Sequence, residues 1–526
     1  MLSHLRQALG HKLLLGFEGH TVSDELADIV RQQTIGGFTL FRHKNIETAA
    51  QTRALTAHLQ NLAQAAGHPP LLIGIDQEGG QLMALGEGTA FPGNMALGAT
   101  RSAELAYRTG VALGREVAAV GANINYAPVC DVNVNPRNPV VGTRSFGEEA
   151  VLVAQLGAAM VRGLQAAGVA AAPKHFPGHG DTASDSHYGA PVILHDEARL
   201  RRVEWPPFVA AIEAGAKMVM TAHVAIPALN GGVEIPATLS APLLNGYLRR
   251  ELGFAGVIIS DALDMHAITQ GAGMMIDVLA ATLAGVDLLL FTDYASALSG
   301  EFNAYAALVQ AAQRQLLPAA EIFASAQRII ALKTWVAQQP QPALEVVGCA
   351  EHLALAREIA ERSVTLVKDE AGRLPLRLAP EAKVLAIVPR PADLTPADTS
   401  SYVTPTLAHA LRQYHPYVEE LIIPIDPSET EVAALRELAA GCNLVVVGTL
   451  NATVHAGQAA LVQALLRQAP PVIVVALRLP YDLQAFPNAP TYVCTYSLHA
   501  ASMHALARGL WGELKFTGQL PVSILE

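Results

Sequence analysis

Residues 174–189, KHFPGHGDTASDSHYG, crowd three histidines, two aspartates and a lysine around a Gly-Pro-rich turn, with Asp196 just beyond. Three chemistries suit such a set: a metal site, a phosphate loop, or proton transfer. His175 and His179 are four apart, a spacing that places two zinc ligands on one helix face. Pro177, Gly178 and Gly180 break a helix there, however, and Lys174 would repel a cation. No G-x-x-x-x-G-K-[ST] pattern cradles a phosphate. In Asp185-Ser186-His187 a carboxylate stands two residues before an imidazole. On a tight loop such a carboxylate fixes the tautomer and raises the basicity of the ring, which then shuttles a proton near neutral pH. A lone D-x-H is more commonly a satisfied loop contact, so the pair gains its weight from its surroundings. His179, between glycines, reads as a packed turn residue.

Those surroundings are a series of apolar, β-rich runs: KLLLGFEG (12–19), GGFTLF (36–41), LLIGIDQ (71–77), NINYAPVCDV (123–132), VAAAPKHF (169–176), KMVMTAHV (217–224), GVIISDAL (256–263) and VDLLLF (286–291). Between them lie stretches with helical periodicity, such as 45–68 and 149–168. Uninterrupted apolar runs are what a parallel sheet covered on both faces requires. Eight alternations over the first two thirds of the chain predict an α/β fold whose N-terminal unit is a (β/α)8 TIM-like barrel. Polar residues collect where the runs end: Asp76, Asp131 with Asn133, Lys174 with His175, His223, Asp261 and Asp293. In a barrel these ends share one rim, the rim that carries active sites.

Beyond a Gln/Pro-rich stretch, AQQPQPALEVVG (337–348), six further strand-like runs alternate with helical ones. They predict a C-terminal α/β domain, an open parallel sheet between two helical layers. The expected division is 1–337 for the barrel, 338–360 for a linker and 361–526 for the second domain. No G-x-G-x-x-G follows any strand of that domain, so no dinucleotide site is expected.

Composition narrows the partners. Lys and Arg total 35 against 46 Asp and Glu, and 35 − 46 = −11 leaves no basic surplus for nucleic acid. No run of about 18 apolar residues suggests a membrane span. Four widely spaced cysteines form no C-x-x-C pair, so they read as free thiols in a reducing compartment. The first residues lack a cleavage-site pattern, and a cytoplasmic setting is expected.

KHFPGHGDTASDSH resembles the long signature of glycoside hydrolase family 3, in its β-N-acetylglucosaminidase branch and two-domain form. The likeness continues through IDQEGG (75–80), NPVVGTRSFGEE (138–149), MTAHV (220–224), GVIISDALDM (256–265) and, near the end, FTGQLPVSI (516–524). The resemblance implies a retaining mechanism, in which a nucleophile forms a covalent glycosyl-enzyme and an acid/base group serves both steps. It makes Asp261 the nucleophile, with Asp264 as the chemical rival, and His187 paired with Asp185 the acid/base. A neutral imidazole approaches the glycosyl ester without the repulsion a second carboxylate would meet. It makes Asp76, Arg144, Lys174 and His175 the residues that hold sugar hydroxyls, though Arg144 also suits a loop-fixing ion pair. No cofactor and no metal are implied.

The implied reaction is removal of a terminal, non-reducing β-linked N-acetylglucosamine from a small carbohydrate, either an N-acetylglucosaminide oligosaccharide or a muropeptide fragment, with no nucleic-acid or membrane partner. Phosphorolysis of a β-N-acetylglucosaminide or β-glucoside by the same dyad is the alternative, and a non-catalytic sugar-binding protein the alternative from another class. One departure stands out. Where the family carries arginines after IDQEGG, this chain has Gln81 and Ala84, so a fixed multidentate donor is missing from the sugar subsite.

Overall fold

The computed structural model describes residues 2–183, 189, 191–268, 272–298, 303–468 and 470–524. Its first domain is built on eight short strands: Leu13–Leu15, Gly37–Leu40, Leu72–Ile75, Ile124–Asn125, Ala170–Ala171, Met218–Met220, Val257–Ile259 and Leu289–Phe291. The last strand pairs with the first, and the first five follow one another in parallel. The sixth and seventh pair with each other. Parallel bridges Phe176–Thr221 and Ile259–Leu288 join that pair to its neighbours on either side. The result is the expected (β/α)8 barrel.

Side chains alternate across a strand, and both faces here are apolar. Leu14, Leu72, Ile124, Met218, Val257 and Leu288 pack together as one cluster. Leu13, Leu15, Ile73, Ile75, Val219 and Ile258 belong to another, shared with the surrounding helices. That double burial is the physical source of the uninterrupted apolar runs. Asp287 ties the last strand to the seventh: buried, it accepts from Ile258 N at 2.9 Å, from Arg328 Nη2 at 2.8 Å and from Arg249. The helices Ala103–Ala119 and Ala150–Ala166 meet at glycines. A Cβ on Gly163 would lie 2.2 Å from Tyr107 O, and one on Gly110 2.5 Å from Met160 O, so only glycine allows this approach.

The second domain holds six strands: Thr365–Asp369, Val384–Pro389, Val418–Ile423, Leu444–Thr449, Val472–Ala476 and Thr491–Cys494. Their spatial order is first, sixth, fifth, fourth, second, third. Five run parallel, but Thr365–Asp369 is antiparallel to Thr491–Cys494, so the sheet is mixed rather than wholly parallel. That strand lies at an edge and is partly exposed beyond Thr365, a position where an antiparallel strand joins an otherwise parallel sheet without a crossover.

Within 338–360, residues from Ala350 onward form the helix Ala350–Ser363, which packs against Asn94–Thr100 of the barrel. His352, Leu355, Ala356, Ile359 and Ala360 supply its buried stripe at helical spacing. The end of the chain also returns to the barrel. Gln519 N donates to Ala99 O at 2.9 Å and Glu148 N to Pro521 O at 3.1 Å. The segments FTGQLPVSI and SFGEE, far apart in sequence, are therefore in contact. Among the described residues, no helix is long and apolar enough to cross a membrane.

Candidate active site

A cavity of about 300 Å³ opens at the C-terminal rim of the barrel. Asp76, Arg144, Lys174, His175 and Asp261 all line it. Five residues drawn from four separate sequence motifs thus share one space. Asp185 and His187 lie outside the described residues.

Two carboxylates and two cations interlock at its floor. Arg144 grips Glu78 with two parallel bonds, Nε to Oε2 at 2.9 Å and Nη2 to Oε1 at 2.7 Å. Lys174 Nζ sits 2.7 Å from Glu78 Oε1 and 2.5 Å from Asp76 Oδ1. The side chains of Glu78, Arg144 and Lys174 are at most 3% exposed, whereas Asp76 is 27% exposed and faces the cavity. Burial alone would raise the Glu78 pKa, but the charges of Arg144 and Lys174 outweigh it and bring the value down to about 2. Burial likewise opposes the charge on Lys174, and Asp76 with Glu78 reverses that, raising its pKa above the ordinary value. Arg144 therefore does both things the sequence allowed: it lines the cavity and fixes a loop. Glu78 was missed, although its signal was present. It stands two residues after Asp76 on extended backbone, a spacing that puts two side chains on one side.

The turn after Lys174 is organised by Asp131, which is fully buried. Its Oδ2 lies 2.7 Å from His175 Nδ1, and its Oδ1 accepts from His179 N at 2.7 Å and from His175 N at 3.2 Å. Burial would raise the Asp131 pKa, and His175 with these bonds lowers it on balance. Asp131 thus orients His175. His179 Nδ1 engages Thr182 Oγ1 at 2.8 Å, and its carbonyl accepts from Asn138 Nδ2 at 2.8 Å. It shapes the turn, as its glycine neighbours suggested, and it also lines the cavity. A Cβ on Gly180 would fall 1.8 Å from Val132 O, so the chain passes there only as glycine.

The two aspartates of GVIISDALDM are placed differently. Asp261 faces the cavity, with Oδ1 accepting from Ala262 N at 2.8 Å. Asp264 turns to the next strand end, where Oδ2 accepts from Thr292 N at 2.9 Å and Thr292 Oγ1 at 2.5 Å. His223 is buried and braces this segment, with Nε2 2.8 Å from Ala262 O and Nδ1 2.8 Å from Thr238 Oγ1. Asn133 donates to Tyr481 OH at 3.0 Å, and Asp293 Oδ1 accepts from Ala295 N at 3.0 Å. Of the polar strand ends, Asp76, Lys174, His175 and Asp261 face the cavity, while Asp131 and His223 hold them in place.

The second domain completes the wall with Pro396, Ala397, Asp398 and Thr399. Gln81 fastens this loop. Its carbonyl accepts from Thr399 N at 2.8 Å and Thr399 Oγ1 at 2.9 Å, and its Nε2 donates to Ala397 O at 3.0 Å. Behind the loop, Asp398 pairs with Arg478 at 2.5 Å. Ala84 lines the cavity, and so does Arg42. The Arg42 guanidinium lies against the backbone on both sides of Ala84: Nη1 reaches Met83 O at 3.4 Å, and a Cβ on Gly86 would meet Nη2 at 2.7 Å. From the other side it stacks over Tyr402 of the second domain, 4.0 Å from the ring centroid. The polar run Arg42-His43-Lys44 follows the second strand after Phe41, a further polar strand end that the sequence makes legible.

Residues 3–332 match the Glycosyl hydrolase family 3 N terminal domain, and residues 364–526 match the Glycosyl hydrolase family 3 C-terminal domain. A beta-hexosaminidase A of Pseudoalteromonas piscicida is 32% identical over 98% of this chain and 96% of its own length. A beta-N-acetylglucosaminidase/beta-glucosidase of Cellulomonas fimi is 31% identical over 94% of this chain and 90% of its own. The solved structure of a family 3 beta-N-acetylglucosaminidase from Paenibacillus sp. str. FPU-7 superposes with a TM-score of 0.93 at 38% identity, covering 99% of both chains. Both halves of the molecule match, end to end and in the same order, and the chain belongs to glycoside hydrolase family 3 as a glycosidase.

Proposed function

We propose that the protein removes terminal, non-reducing β-linked N-acetylglucosamine with retention, through a glycosyl ester on Asp261 and an Asp185–His187 acid/base dyad. The observation that carries this reading is the shared cavity: Asp261 faces the same space as Asp76, Arg144, Lys174 and His175. A carboxylate and an ammonium 2.5 Å apart offer neighbouring sugar hydroxyls an acceptor and a donor together. The cavity is at the small end for ligand sites, which suits a single terminal sugar rather than an internal chain position. Asp264 is engaged by Thr292, which favours Asp261 as nucleophile. Arg42, seated beside Ala84, supplies a guanidinium where the sequence lacks one.

In the first step His187, protonated, donates to the leaving oxygen as Asp261 Oδ attacks the anomeric carbon and the glycosidic bond breaks. In the second, neutral His187 takes a proton from water, which attacks the anomeric carbon and releases the carboxylate of Asp261. Support for the N-acetylated sugar comes from the relatives named as beta-hexosaminidase and beta-N-acetylglucosaminidase. The cytoplasmic setting belongs to this reading, and four unpaired cysteines fit it.

Aryl β-glycosides test it, the N-acetylglucosaminide against the glucoside, each with and without phosphate. Free N-acetylglucosamine at a rate indifferent to phosphate is expected. A sugar 1-phosphate formed only with phosphate would replace hydrolysis by phosphorolysis, and no turnover of any glycoside would leave a sugar-binding protein. The dyad has its own test. Asp185→Ala removes the carboxylate that favours imidazolium, so the imidazole releases its proton at lower pH. The alkaline limb of kcat/KM is expected to move down by about one pH unit or more. An unmoved limb would remove Asp185 from the mechanism.

A further inference from the structure

Beside the Gly178 turn, three ligating groups converge that the proposed reaction does not use. Asp181, His195 and Glu204 each present one such atom, all within 4.8 Å of one another. His195 Nε2 lies 2.5 Å from Asp181 Oδ2. Glu204 is 2% exposed, and its Oε2 is buried without a hydrogen-bond partner. Arg199 approaches both carboxylates, but its one hydrogen bond to Glu204 is long and goes to Oε1, not to the unpartnered Oε2. Its Nε is 3.4 Å from Glu204 Oε1, its Nη2 is 3.9 Å from Asp181 Oδ2, and its side chain is 27% exposed. Two carboxylates against one loosely held guanidinium leave negative charge around an imidazole. Burial pushes the Glu204 pKa up, the mark of a carboxylate short of positive partners.

We propose that Asp181, His195 and Glu204 bind a divalent cation of the zinc class. An unpartnered buried carboxylate oxygen is costly unless it receives a proton, a hydrogen bond or a cation. The imidazole nitrogen selects among cations. Calcium and magnesium take oxygen ligands, whereas nitrogen with carboxylates suits zinc and its transition-metal neighbours. Small rotations of the partly exposed Asp181 and His195 bring ligand atoms to the usual distance of about 2.0–2.2 Å. Arg199 then moves into solvent. The consequence is positional. Residues 181 and 195 bound the segment that contains Asp185 and His187, so the ion clasps both ends of the stretch that supplies the dyad.

The test titrates zinc into chelator-treated protein by calorimetry, with melting temperature as a second readout, and needs no assay of glycoside turnover. The proposal for Asp261 and His187 can therefore fail without affecting it. One zinc per chain and a rise in melting temperature are expected. His195→Asn and Glu204→Gln should each weaken binding by about tenfold or more. Should Glu204→Gln not fold, the part-exposed His195→Asn carries the test. Arg199→Ala, which removes the competing charge, should bind at least as tightly. His187→Ala should keep the site, separating it from the catalytic cavity. Binding indifferent to His195→Asn, binding lost in His187→Ala, or calcium and magnesium binding as well as zinc would each overturn the site.

Discussion

Asp261→Asn is expected to lower kcat by about four orders of magnitude or more, with the melting temperature unchanged. The amide keeps the shape of the side chain but cannot form a glycosyl ester, so the covalent route closes. The fold is spared because the amide oxygen of asparagine still accepts from Ala262 N at the strand end. Asp264→Asn makes the informative control. Asp264 joins two strand ends through Thr292, so its loss should appear first in stability and only secondarily in rate. Rate measurements on both variants, each with a thermal melt, decide between them. If Asp264→Asn loses turnover and Asp261→Asn keeps it, the two roles must be exchanged.

The second large effect is expected at Glu78. Glu78→Ala leaves Arg144 and Lys174 buried without the carboxylate they share, and should cost about 3–5 kcal/mol of stability. Denaturant midpoints measure it. A double variant with Arg144→Met should recover part of the loss, because the stranded charge leaves with its partner. The same network makes a pH prediction. The Glu78 carboxyl titrates near 2 in the folded protein, below its ordinary value of 4.5. A depressed acid contributes stability that is fully present above the unfolded value and is lost as pH falls through the folded one. The loss should therefore run from about pH 4.5 to pH 2, and in Glu78→Gln that part of the acid transition should be absent. A transition unchanged in Glu78→Gln would mean that other carboxylates dominate acid unfolding.

The barrel was legible because its strands are buried on both faces and read as uninterrupted apolar runs, as in Leu13–Leu15 and Val257–Ile259. Asp76, Lys174, His175 and Asp261 were legible because a polar residue ending such a run has few structural explanations. For Glu78 the sequence shows its spacing from Asp76 but not its pairing. A buried carboxylate with two cation partners leaves no periodicity, and both partners come from distant motifs. The antiparallel edge strand Thr365–Asp369 was missed because strand direction is set by the connection and not by the composition of the strand. The loop 396–399 was invisible for a simpler reason: nothing local in PADLTPADTSS marks a segment that reaches across to another domain's cavity.

That loop has a consequence for how such an enzyme diversifies. The barrel rim is constrained twice, since Glu78, Arg144 and Lys174 carry both the fold and the floor of the cavity. Pro396 and Ala397 line the same cavity outside that ion-pair network, whereas Asp398 and Thr399 anchor their loop through Arg478 and Gln81. Variation at Pro396 and Ala397 is expected to change which sugars are admitted while the reacting groups stay untouched. Selectivity and reactivity are thereby heritable as separate parts, and a library confined to this one loop is the economical route to new substrates.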